Sequence, residues 1–139
     1  MKTDDRYTLK ATREQLVAIR KACEDYLRTR MGQFFDLATD ISLAGKDEAT
    51  SNVEFEEMIA RRNAAQELMT SAFRIAQPVY QNKTEEMLIA EDIYDVVKHF
   101  LWSERTEEEK EAMGWTVDSS PPLHLSKEPL ITVQKDFIR

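Results

Sequence analysis

Apolar residues recur every three or four positions along most of the chain, and that spacing predicts helices. Leu16, Ile19, Cys23, Leu27, Met31, Phe34, Ala38 and Ile41 form the first such row. Thr12-Arg13-Glu14-Gln15 precedes it in the form of a capping box, with Thr12 as N-cap and Gln15 three residues on. The pattern reads as one long helix over 13–43, kinked near Gly32. A glycine inside a helix costs about 1 kcal/mol against alanine. In RMGQFFDL it stands among large side chains, which marks a close backbone approach by another helix or by the C-terminal segment.

A polar connection follows, and Asn52 can cap a second helix over 53–77. Its apolar set is Phe55, Ile59, Leu68, Ala72, Phe73, Ile75 and Ala76, and Pro78 closes it because the residue before a proline is pushed out of the helical region. Thr84 caps a third helix over 85–103. There Met87, Ile89, Ala90, Ile93, Tyr94, Val96, Val97, Phe100 and Leu101 form one broad apolar face, the mark of a central helix. Thr106-Glu107-Glu108-Glu109 repeats the capping pattern and starts a short fourth helix that Gly114 can end.

The rest of the chain breaks this rhythm. Residues 115–139 hold three of the four prolines, and Ser119-Ser120-Pro121-Pro122 favours extended backbone. Leu123 and Leu125 flank His124, and Ile131 and Val133 flank Thr132, an alternation that suggests short strands with one buried face. Tyr7 to Lys10 is a candidate partner strand. The expected fold is therefore mainly α: three main helices, a short fourth, and a small strand element from the N- and C-terminal segments. The 139 residues are expected to form a single helical domain, with the proline-containing segment 115–139 docked on the helices.

Composition narrows the function by exclusion. A formal charge of −7 argues against nucleic-acid binding by the whole surface. No apolar run approaches the roughly 20 residues of a membrane helix, and MKTDDRYTLK lacks the apolar stretch of a signal peptide. Cys23 is the one cysteine, so an internal disulfide is impossible and a reducing cytoplasm fits. Its place in the apolar row makes it a core residue.

The third helix has a second face on which Leu88, Asp92, Asp95, His99 and Trp102 align. Asp95 and His99 are four apart, so a carboxylate could orient an imidazole as a base or a ligand. A surface ion pair is the ordinary reading, because no motif supplies further converging groups. Leu88 and Trp102 among charges call for an apolar cover, either the C-terminal segment or another protein. On the first helix Arg13, Arg20, Lys21 and Arg28 share an arc. Arg20 and Arg28 are candidates to hold a phosphate or an acidic partner, against ordinary ion pairs with Glu14, Glu24 and Asp25. Glu54, Glu56, Glu57, Glu91, Asp92 and Asp95 invite comparison with all-helical, magnesium-dependent nucleotide pyrophosphohydrolases. Asp92-x-x-Asp95 would supply their last motif, but Met58-Ile59-Ala60 after Glu56-Glu57 lacks the expected spaced acid. No catalytic residue, metal site or cofactor is assigned.

Three stretches, TREQLVAIRKACEDYLRTRMGQFFDL, MLIAEDIYDVVKHFLW and TVDSSPPLHLSKEPL, together resemble small hypothetical proteins encoded in tailed-bacteriophage genomes. None is a catalytic motif. The resemblance implies a cytoplasmic accessory protein of the infected host, acting non-enzymatically by binding a host or phage protein or by sequestering a small ligand, in a way that modulates host defence or physiology. The alternatives are the metal-dependent nucleotide hydrolase and a phage structural or assembly component. Neither nucleic acid nor a membrane is an expected partner, and homo-oligomerisation stays open.

Overall fold

The computed structural model describes residues 5–43, 51–79, 81–114 and 116–136, and these are mainly helical. The helices are α1 (Arg13–Arg30), α2 (Phe35–Ser42), α3 (Asn52–Ala76), α4 (Glu85–Ser103) and α5 (Glu107–Met113), followed by a short 3-10 turn at Val117–Ser119. The helix starts follow from short polar side chains that satisfy otherwise unpaired N–H groups. Thr12 and Gln15 form a reciprocal capping box at α1. Ser51, rather than Asn52, caps α3 by accepting from the Glu54 N–H. Thr84 and Thr106 do the same for α4 and α5.

The expected single helix over 13–43 is instead two helices. Gly32 takes φ +76°, a left-handed conformation that ends α1. The Gln33 N–H donates to the Arg28 carbonyl at 2.8 Å and the Gly32 N–H to the Thr29 carbonyl at 3.2 Å, the paired bonds of a Schellman motif. The close approach expected here is a side chain: a Cβ at Gly32 would lie 2.7 Å from Cε1 of Phe73 in α3. Phe34 meets the same ring edge-on, with centroids 6.0 Å apart.

The chain turns at Gly32, so the helices pack in two pairs. α1 lies against α4, and α2 lies against α3. Leu27 of α1 and Met87, Val96, Val97 and Leu101 of α4 are buried, as are Ala38 of α2 and Met58 of α3. α4 also carries the 3-10 turn.

The small strand element is not present among the described residues. Tyr7 and Leu9 are 90% and 77% exposed, and no ladder joins them to the C-terminal segment. The ends meet through a side chain instead, with Arg6 Nη2 donating to the Leu130 carbonyl at 3.1 Å. The alternation around His124 misleads because the backbone donors there are taken by carboxylates of α4, as described below. Gly114 does have positive φ (65°), but its ψ of −154° lies outside the left-handed helical region.

Gly32→Ala should destabilise the protein by more than the roughly 1–2 kcal/mol that left-handed backbone costs an ordinary residue, because the new methyl must also displace Phe73. Gly114→Ala adds strain but no clash, since none of the described residues comes within 4 Å of where its methyl would stand. Urea unfolding should therefore rank Gly32→Ala well below Gly114→Ala in stability. Equal losses would show that the Phe73 contact is unimportant.

Candidate interaction surfaces

α4 presents its polar face to the C-terminal segment, and Asp92 is the anchor. The carboxylate is buried at 4% exposure. It accepts from the Leu125 N–H at 2.9 Å, the Ser126 N–H at 3.0 Å and the Ser126 hydroxyl at 2.6 Å. Burial alone would push this carboxyl up. The Ser126 hydroxyl and the two N–H groups outweigh that and hold it below its ordinary value. Nearby on the same helix Glu85 Oε1 accepts from the Lys127 N–H at 2.6 Å. The segment's own turn is closed by His124 Nε2, which donates to the Glu128 carbonyl at 2.6 Å.

Further along α4, Asp95 and His99 do not form the pair that their spacing suggests. Asp95 lies 3.3 Å from the Lys98 ammonium. Lys98 is itself buried and sits 4.9 Å from the Tyr94 ring centroid. Burial raises the Asp95 carboxyl despite the ammonium beside it. His99 turns the other way. Its Nδ1 donates to the Asp118 carbonyl at 3.2 Å, and a carbonyl can only accept, so the neutral ring carries its proton there. The ring stacks on Trp102 at 5.7 Å, and Lys110 of α5 lies 4.9 Å from the Trp102 centroid. Leu88 is half-buried. His99 thus joins α4 to the 3-10 turn, and Trp102 joins it to α5.

The α1 cations are likewise engaged. Arg20 reaches Asp118 of the 3-10 turn at 3.8 Å and lies 5.7 Å from the Tyr94 centroid. Arg28 holds Glu24 at 3.0 Å and, across the break at Gly32, Asp36 at 3.2 Å. Lys21 bridges Asp25 and Asp40 at 3.1 and 3.0 Å, so it also ties α1 to α2. Burial raises the Cys23 thiol, which keeps it protonated and a poor nucleophile. Lys98 is visible in the sequence as an i,i+3 partner of Asp95, whereas nothing local signals Asp118 and Ser126, because those pairings depend on how the returning chain settles around α4.

The acids that suggest a hydrolase do not assemble. Glu91 pairs with Lys83 at 2.9 Å, Asp92 with the C-terminal segment, Asp95 with Lys98, and Glu57 with Arg61 at 3.8 Å. Among the described residues no group of three or more His, Cys, Asp or Glu side chains is arranged to hold a metal ion.

Several exposed apolar side chains lie on α2 and α3. Phe35, Ile41, Val53, Phe55, Leu68 and Ile75 are all exposed, from 48% at Phe35 to 83% at Ile75. An open hollow of about 330 Å³ runs between the two helices, lined by Ala38, Ile41, Ser42, Arg61 and Ala65. Arg62 covers one face of Phe35, 4.6 Å from its centroid. No described helix is long and apolar enough to cross a membrane.

Removing the Asp92 carboxylate strands three donors. A hydrogen bond to a charged group contributes roughly 1.5–3 kcal/mol, so Asp92→Ala should cost several kcal/mol and speed amide exchange at Leu125 and Ser126 well beyond Ser126→Ala. Because the folded Asp92 carboxyl lies below its ordinary value of 3.8, its contribution is complete above that pH and is lost as pH falls through the folded value. The stability difference between wild type and Asp92→Asn should therefore shrink on acidification below pH 3.8. A pH-independent difference would assign the effect to shape alone. No family model, curated protein or solved structure matches the chain, so its function is read from this geometry.

Proposed function

We propose that the protein is non-enzymatic and acts by binding another protein through the seam between α2 and α3. The carrying observation is Ile41, 58% exposed, lining an open hollow with Ala38, Ser42, Arg61 and Ala65. An exposed apolar side chain at the mouth of an open hollow, with a cation on its rim, is the arrangement that a partner's apolar side chain and an acidic neighbour would fit. An apolar side chain of the partner would enter the hollow, with an acidic neighbour facing Arg61 and Arg62. The phage setting belongs to the same proposal: an accessory protein in the infected cell's cytoplasm, with a host or phage protein as target. Its support is the resemblance of the three sequence stretches. The engagement of Glu57, Glu91, Asp92 and Asp95 by neighbouring groups speaks for binding over nucleotide hydrolysis.

A photo-crosslinking side chain at Ile41 in the full-length protein, expressed in infected host cells, should give one discrete heterologous adduct. Arg62→Glu should abolish it. Adducts no different from those of a crosslinker at exposed Glu108, on α5, would overturn the binding reading. Incubation with nucleoside triphosphates and magnesium should give no turnover. Turnover that disappears in both Glu57→Gln and Asp95→Asn would establish the hydrolase instead.

A further inference from the structure

α3 is apolar on two sides, and among the described residues only one side has a partner. Its inner side carries Met58, Ala65, Met69 and Phe73 toward α2 and Gly32, all buried or half-buried. Its outer side carries Val53, Ala60, Ala64, Leu68, Ser71 and Ile75, which fall within about 80° of arc at roughly 100° per residue. Every one of these six is exposed, and Val53, Leu68 and Ile75 keep 66%, 73% and 83% of their surface in water. We propose that this outer face binds the same face of a second copy, with the two α3 helices antiparallel and the two-fold axis near Ala64.

The sequence of the face is self-complementary in that arrangement. An axis at Ala64 places Val53 opposite the partner's Ile75 and Ala60 opposite the partner's Leu68, while Ala64 meets the partner's Ala64. Leu68 thus packs against a small residue, and the small residues at the centre let the helices approach closely, as an isologous contact requires. The flanks agree. On one edge Arg74 falls within a turn of the partner's Glu56, and Glu67 falls near the partner's Asn63, whose carbonyl already accepts from Arg62 and whose amide is left to donate. Glu57, a charge within the stripe, faces the hydroxyl of the partner's Ser71. A parallel pairing would set Leu68 against the partner's Leu68 and Ala60 against the partner's Ala60, large opposing large and small opposing small.

Helix α3 is about 38 Å long at roughly 1.5 Å per residue, enough for the whole stripe to be covered.

The second copy would occupy the outer face of α3, whereas the proposed function uses the α2 side, so the two fail separately. Sedimentation equilibrium of the purified full-length protein should show a dimer at micromolar concentration. Leu68→Glu and Ala64→Glu, both at exposed positions, should each raise the dissociation constant at least tenfold with unchanged helicity by circular dichroism. Arg74→Glu and Glu56→Arg should each weaken the dimer, and the double variant should restore it. In a Cys23→Ser background a short bis-maleimide should link Ala64→Cys to itself readily and should link Val53→Cys or Ile75→Cys to itself poorly. A monomer persisting to about a hundredfold higher concentration, or a dimer indifferent to Leu68→Glu, would overturn the inference. Crosslinking from Ile41 to a different protein would then still support the binding function.

Discussion

Gly32 stands between α1 and α2 with a backbone conformation that only glycine adopts without strain, and the Phe73 ring occupies the space a side chain would need. Much of the architecture depends on this contact. Without the left-handed turn, α1 and α2 would continue as one rod and could not pack against two different partners. With it, α1 pairs with α4 while α2 turns to α3. The ion pairs Arg28–Asp36 and Lys21–Asp40 then cross the break. These are partly exposed and individually weak. They fix an angle that the glycine and the ring have already set.

A second device holds the C-terminal segment. An extended chain cannot satisfy its own N–H groups, and this one has no strand beside it among the described residues. Asp92 supplies acceptors from the side of a helix instead. Two backbone donors and a hydroxyl converge on one carboxylate, and the exchange is favourable because the same bonds that satisfy the segment also compensate the buried charge. Pro121 and Pro122 restrict the segment before it docks, so less chain entropy is lost. Leu123 and Leu125 stay 64% and 40% exposed, so the apolar burial they add to these bonds is partial.

The fold is legible in the sequence where the physics is local. The caps at Thr12, Thr84 and Thr106 involve residues three apart, and α4 has the boundaries its periodicity predicts. Legibility ends where a distant group decides. Gly32 reads as a kink from spacing alone, because α1 and α2 keep one continuous apolar row. The break needs Phe73, which lies in another helix. The alternation at Leu123 and Leu125 reads as a strand until Asp92 takes the donors. Asp95 and His99 have the spacing of a pair, yet the distant Asp118 carbonyl takes His99, and Asp95 goes to Lys98, an equally local partner three residues away. For Arg20 and Arg28 the sequence leaves an anion site against ordinary ion pairs; the local pair Arg28–Glu24 follows from spacing, while Asp118 comes from the returning chain and Asp36 reaches Arg28 only across the break at Gly32.

α3 shows the same limit in another form. Its apolar residues are spread around the helix, so their periodicity is blurred and no single face stands out. Phe73 belongs to the inner side, Leu68 and Ile75 to the outer. Read as one set they describe a poorly amphipathic helix; read as two stripes they describe an inner face and an outer face. The inner face packs on α2, which has only eight residues against twenty-five. A long helix gains little stability from propensity alone and depends on packing of its apolar surface. The inner stripe meets that need near Gly32 and along α2, and the outer stripe leaves Leu68 and Ile75 in water. The interactions that hold this fold together therefore lie mostly on α4, while α3, in the helix pair that the turn at Gly32 sets apart, keeps apolar side chains in water.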